Sequence, residues 1–167
     1  MSSFSFIATD YDIPEVYNSK EKVITIRQAM ELGIKADTFT PLEEMDPNAK
    51  ITYYENRSDL GELVINRSTL FEENVRWYTD KPLIYSVIFE YTEQRANQLL
   101  KYLKDNIRPG QHLELWLIWL DEKQVVQPKI FNCEEISINE IQQMYLEWWT
   151  KREMIHSCIV IEKEMKI

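Results

Sequence analysis

Leu83-Ile84-Tyr85-Ser86-Val87-Ile88-Phe89-Glu90-Tyr91 runs straight into Thr92-Glu93-Gln94-Arg95-Ala96, and the change of rhythm between them decides the fold. In the first stretch Leu83, Tyr85, Val87, Phe89 and Tyr91 share one parity, so they face one side of an extended strand. In the second, Ala96, Leu99, Leu100, Leu103 and Ile107 recur at helical spacing. Arg95, Asn97, Gln98, Lys101 and Lys104 fill the gaps, which is the pattern of an amphipathic helix. Thr92 is placed to cap that helix and Glu93 suits its first turn. Arg108-Pro109-Gly110 ends it, because proline cannot continue a helix and glycine accepts the turn.

The pattern continues toward the C-terminus. His112–Leu120 alternates Leu113, Leu115, Leu117 and Trp119 on one face with Trp116, Ile118 and Leu120 on the other, so it reads as a central strand covered on both sides. The polar Asp121-Glu122-Lys123-Gln124 and the strand-like Val125–Cys133 predict an antiparallel hairpin. Ser137-Ile138-Asn139-Glu140 fits a capping box, and Ile138, Ile141, Tyr145 and Trp148 follow at helical spacing to an end near Lys151 or Arg152. Ser157–Ile161 is a last short strand. The order β-α-β-β-α-β is that of a ferredoxin-like half with two helices on one face of an antiparallel sheet. Its other face carries Ile84, Ile88, Trp116 and Ile118, and calls for a cover from the N-terminal half or from a second subunit.

The first 80 residues read as a mainly β lobe packed on this one, the whole forming one α+β domain with lobes 1–80 and 81–167. Phe4–Ala8 and Lys22–Ile26 look like strands, and Ile26–Leu32 like two helical turns closed by Gly33. Phe39–Asn48, with Pro41 and Pro47, reads as a loop. Residues 51–66 read as a hairpin around Asn56-Arg57-Ser58-Asp59. Thr69–Lys81 fits either a short helix or an irregular docking segment.

Composition narrows the function classes. The chain has 167 residues and a net charge of -9. Of that, residues 1–80 hold 8 Lys+Arg against 15 Asp+Glu, a net of -7. Such a surface repels phosphate backbones and excludes a general nucleic-acid binder. The same charge would suit a basic protein partner. Two cysteines far apart, Cys133 and Cys158, form no disulfide framework. The opening residues lack a signal-peptide pattern, and the longest apolar run, Leu115–Leu120, is too short for a membrane span; a cytoplasmic protein without membrane contact is expected.

Few residues offer chemistry. Asp10, Asp12 and Glu15 place three carboxylates in a short span, the ligand type of hard cations, but without the glycine and terminal Glu of an EF-hand loop; a stiff turn at Pro14 is the simpler reading. Glu43, Glu44 and Asp46 read as a solvated loop. His112 and His156 each open a strand, and the expected layout puts them near each other, yet further ligands at metal spacing are missing. Cys158 lies two residues from His156 on one strand face, without an orienting third group. Among the five tryptophans, Trp116 and Trp149 are candidate contact residues: packing explains most of them, and one of Trp148 and Trp149 is expected at the surface or under the N-terminal lobe. No Gly-rich phosphate loop, C-x-x-C or G-x-S-x-G occurs, so no catalytic, cofactor or metal site is predicted.

The segments Phe6-Ile7-Ala8-Thr9-Asp10-Tyr11-Asp12-Ile13-Pro14, Ile24–Ile34 and Phe89–Ala96 resemble a group of proteins from bacilli and related Gram-positive bacteria that has no assigned activity. The resemblance implies a bacterial cytoplasmic setting and transfers no site residues. The expectation from sequence is a non-enzymatic binding or interaction protein, of the immunity or regulator type, meeting a basic partner or forming a homodimer. The alternative is a small-molecule-binding or enzymatic domain with a pocket between the lobes, using Asp10, Asp12 and Glu15.

Overall fold

In the computed structural model, which describes residues 2–35 and 39–167 apart from the Trp148 side chain, the architecture is α+β. The chain divides into two compact units. One comprises the residues up to Tyr17 and from Leu63 onward; the other is Asn18–Glu62.

The first unit is built on a six-stranded sheet. Its strands are β1 (Ser3–Thr9), β4 (Val64–Arg67), β5 (Leu83–Ile88), β6 (His112–Trp119), β7 (Lys129–Asn132) and β8 (Ser157–Glu162), in the order β4-β5-β1-β6-β8-β7. All pairs are antiparallel except β7–β8, which is parallel. The ferredoxin-like order expected for residues 81–167 is not what forms. Strand β1, from the start of the chain, wedges between β5 and β6, with Phe6 opposite both Ser86 and Trp116. Strand β8 likewise separates β6 from β7, so the expected β6–β7 hairpin is absent. The link 120–128 is long enough to carry the chain past β8, and Pro128, which has no N–H to give a ladder, stands at the entry to the edge strand.

Strand β1 earns its central place by alternation. Phe4, Phe6 and Ala8 face one side and Ile7 the other, and six of its seven residues are buried. The predicted hairpin at 51–66 is also replaced: β4 pairs with β5, and Ile65 is bridged on its outer side by Val16.

Two helices lie together on one face, as the sequence predicts. Helix α3 (Glu93–Asn106) starts where the Thr92 hydroxyl accepts from the Arg95 N–H, and ends before Gly110, whose φ is +74°. Helix α4 (Ile138–Lys151) starts where Glu140 accepts from the Ser137 N–H at 2.8 Å and its hydroxyl at 2.6 Å. Ala96, Leu99, Leu103 and Ile141 pack without exposure onto Ile7, Leu113, Leu115 and Ile161.

The second sheet face is covered from within this unit. Phe4, Phe6, Ala8, Ile84, Trp116, Ile118 and Cys158 pack under the segment that follows β4, which contains helix α2 (Glu72–Arg76). Val75 of that helix is fully buried and Tyr78 tilts against Trp116 with ring centres 5.4 Å apart. The segment is tied down by Asn74 to the Leu120 carbonyl at 3.2 Å, and by Arg76 to the Lys81 carbonyl at 2.5 Å. Phe71 enters the helix at φ 54°, a left-handed conformation unusual for a large side chain; its ring packs edge-on to Phe4 at 5.0 Å. Thr69–Lys81 is therefore both a short helix and a docking segment.

The smaller unit has the pair β2 (Lys22–Thr25) and β3 (Lys50–Tyr53), helix α1 (Ile26–Glu31) and a core of Ile26, Ala29 and Leu42. Thr25 and Gln28 form a reciprocal capping box, and Gly33 follows α1 at φ +68°. No described helix is long and apolar enough to cross a membrane.

Candidate functional site

A mismatch in strand length opens a cleft. Strand β8 begins at Ser157, but β7 meets it only from Lys129 opposite Ile159, so Ser157 and Cys158 have a neighbour on the β6 side alone. Residues 124–127 run past this gap and α4 bounds it. A cleft of about 350 Å³ results, within the range of small-molecule sites. Val126, Phe131, Met144 and Ile159 give it apolar walls; Gln127, Lys129, Gln143 and Lys151 give it polar ones.

His156, only 5% exposed, and Cys158 also line the cleft. The Tyr78 hydroxyl lies 2.9 Å from His156 Nδ1 and 3.4 Å from the Glu122 carbonyl, and it accepts from the Gln124 N–H at 3.3 Å. The hydroxyl has a single proton for Nδ1 or the Glu122 carbonyl, so the direction of the His156 contact follows the ring tautomer. Nε2 is buried and finds no protein partner. Such an orphaned polar atom costs about 1–3 kcal/mol. Burial pushes the His156 pKa down, with Glu122 opposing in part, so the ring is neutral at pH 7. Burial pushes the Cys158 thiol up, and Glu114 adds to that, so it stays protonated and is a poor nucleophile.

The acidic groups at the rim are engaged within the chain. Glu140 is held by Ser137, whose hydroxyl keeps its carboxyl below the usual range, with a smaller contribution from the Lys129 charge. Glu147 pairs with Lys151 at 2.5 Å. Lys129 has no carboxylate at ion-pair distance among the described residues.

The residues singled out from sequence do not converge here. Asp10 pairs with Lys81. Asp12 accepts from the Tyr85 hydroxyl at 3.3 Å and from Arg67 at 3.4 Å. Glu15 accepts from the Tyr17 hydroxyl at 2.6 Å. Each carboxylate turns to its own partner, and the described residues contain no group of three His, Cys, Asp or Glu able to hold a metal ion. Tyr102, whose hydroxyl donates to the Pro14 carbonyl at 2.5 Å, and Arg108, 4.4 Å above the Tyr11 ring, fasten the chain leaving β1 against α3 and its end. In the smaller unit, Glu43 and Glu44 sit in a 3-10 turn at Leu42–Glu44 and Asp46 accepts from the Asn48 N–H at 2.9 Å.

The expected closeness of the two histidines is not realised. His112 stands opposite Glu162, 3.1 Å from its carboxylate, at the far end of β8 from His156. Trp116 is a core residue: 4% exposed, stacked on Phe6 and donating to Glu114 at 2.8 Å. Trp149 is 66% exposed, the first of the two placements open to one of the adjacent pair; the Trp148 side chain lies outside the described part. The pairing of Tyr78 with His156 was not legible, since 78 residues separate them.

A second cavity of about 250 Å³ lies at the start of β1, where Ser3 and Ser5 leave space beneath Tyr145 and Phe89. It is spanned by the Ser5–Tyr145 hydrogen bond at 2.6 Å. Comparison with known proteins gave no matching family model, no related curated protein and no similar solved structure.

Proposed function

We propose that this chain is a non-catalytic binding protein that takes a small amphipathic molecule in the cleft between the start of β8, α4 and residues 124–127. The observation that carries the reading is the cleft itself: apolar walls, polar rim, and a buried, hydrogen-bonded imidazole in its lining. Ligand sites combine apolar lining with a few oriented polar groups in this way. The neutral thiol and the uncharged imidazole, hydrogen-bonded to Tyr78, favour binding over bond-breaking.

The test is titration of uniformly 15N-labelled protein with 1-octanol, followed by amide chemical shifts. Saturable shifts confined to residues around Val126, Phe131, Met144 and Ile159 are expected. Their loss in Gln143→Trp, which places a large ring on the cleft side of α4, would confirm the location. Shifts scattered over the surface, or none, would refute the reading.

Trp149 favours a second reading, a protein partner or second copy docked on the outer side of α4, because exposed tryptophan is enriched at interface hot spots. Sedimentation equilibrium of wild type and Trp149→Ser separates the two: self-association abolished by the substitution supports it, and a monomer in both disposes of the homodimer.

A further inference from the structure

We infer that Tyr78 shapes the cleft from outside it, as the positioning residue that holds the wall at residues 124–127 beside the start of β8. This rests on the cleft being a ligand site, as proposed above, and adds how that site is kept in form.

The wall has few supports of its own. Residues 121–127 belong to no helix or strand. Among the described residues their backbone groups make two hydrogen bonds, and both run to the Tyr78 hydroxyl: it accepts from the Gln124 N–H at 3.3 Å and faces the Glu122 carbonyl at 3.4 Å. The Gln124 side chain adds a bond to the Met154 carbonyl at 3.2 Å, and Val126 packs against the Trp116 and Cys158 cluster. Val125 between them stands out in solvent, 96% exposed.

The anchor, by contrast, is well fixed. The Tyr78 N–H donates to the Val75 carbonyl at 2.9 Å, just past α2. Its ring tilts against Trp116 and stacks on His156 with centres 5.6 Å apart, and its hydroxyl lies 2.9 Å from His156 Nδ1. One oxygen therefore ties together the segment that covers the sheet, the link to β7 and the entry to β8. Gln124 and His156 line the cleft, while Tyr78 stands behind them.

A wall held in place before the ligand arrives binds it more tightly than one that must be ordered on binding. The cleft is also where the two cores meet: Phe131, Met144 and Ile159 belong to the helix side, Val126 and Cys158 to the α2 side. Through Tyr78, the segment on the sheet's second face acts on a site bounded by α4 on the first.

The experiment titrates 1-octanol by amide shifts on wild type, Tyr78→Phe and Val75→Ala. Tyr78→Phe keeps the ring and its packing and removes only the oxygen. It is expected to weaken 1-octanol about threefold, the size of one modest hydrogen bond, and to speed hydrogen exchange of the Gln124 amide in the free protein. Val75→Ala loosens the same segment without touching the hydroxyl, and should leave the affinity of the folded protein unchanged. Equal affinity in wild type and Tyr78→Phe would overturn the inference while leaving the cleft as a ligand site. So would an equal loss in Val75→Ala, which would reduce the effect to general loss of stability. If 1-octanol fails to shift the cleft residues of wild type, the underlying reading falls and this inference with it.

Discussion

Val75→Ala tests whether the segment after β4 is what seals the sheet's second face. Val75 has no exposed surface and is the one fully buried residue that α2 brings to that face, set among Phe4, Phe6, Ile84 and Trp116. Truncation removes two methyl groups, about 1.6 kcal/mol of transfer free energy at about 0.8 kcal/mol each. The rings around it are locked together, Phe6 stacked on Trp116 at 6.1 Å and Tyr78 tilted against Trp116 at 5.4 Å, so the site collapses poorly and a cavity contribution brings the total to about 2–3 kcal/mol. With a urea m-value of about 2 kcal/mol/M, the midpoint should fall by about 1–1.5 M at unchanged slope. Trp77→Ser is the control: Trp77, two residues on, is 57% exposed, so its loss should move the midpoint by less than about 0.3 M. Both variants are measured by urea titration followed by circular dichroism and tryptophan fluorescence. A Val75→Ala cost below about 0.5 kcal/mol would mean that α2 is not the cover, and the argument for a self-contained sheet would fail.

Two further outcomes follow from the same structure. His156 has its pKa lowered in the fold, so between the ordinary value near 6.5 and the lower folded value the unfolded chain binds more protons. Its contribution to stability is therefore complete above about pH 6.5 and is lost as pH falls below it; the unfolding free energy of His156→Asn, measured from pH 7.5 to 5, should drop less steeply than that of wild type. Gly110→Ala should cost about 1–2 kcal/mol in thermal or urea unfolding, because φ is +74° and an added Cβ would meet the Met165 side chain at 2.9 Å. Trimming that exposed side chain with Met165→Ala should recover only a small part, since the backbone conformation is the larger cost.

What could be read from the residues was local rhythm. Alternation in Leu83–Ile88 and His112–Trp119, helical spacing in α3 and α4, and the caps at Thr92 and Ser137 all appear where the pattern puts them. What could not be read was who pairs with whom. Ser3–Thr9 alternates as a strand should, but nothing in its own residues says that its neighbours lie beyond residue 80. The polar run Asp121–Gln124 looks like a hairpin turn, and only Pro128 hints that the next strand sits at an edge. The candidate site failed to show for the same reason: it is made by β8 outreaching β7 and by Tyr78 meeting His156 across the sheet, both products of pairing. Clustered carboxylates such as Asp10, Asp12 and Glu15 are visible at once, yet Lys81 and Arg67, the partners of the first two, come from distant stretches of chain, and Glu15 turns to the nearby Tyr17.

The position of β1 has a consequence for biosynthesis. Ser3–Thr9 is translated well before both of its ladder neighbours, Leu83–Ile88 and then His112–Trp119. The nascent chain must carry a segment rich in phenylalanine, with no ladder to join, until some hundred residues have emerged. Folding then waits on distant partners, which slows it and leaves a sticky ribbon open to wrong associations in the meantime. Strand β1 is thus made early and placed late, and the protein's yield in a cell should depend on chaperone holdases more than its final stability suggests.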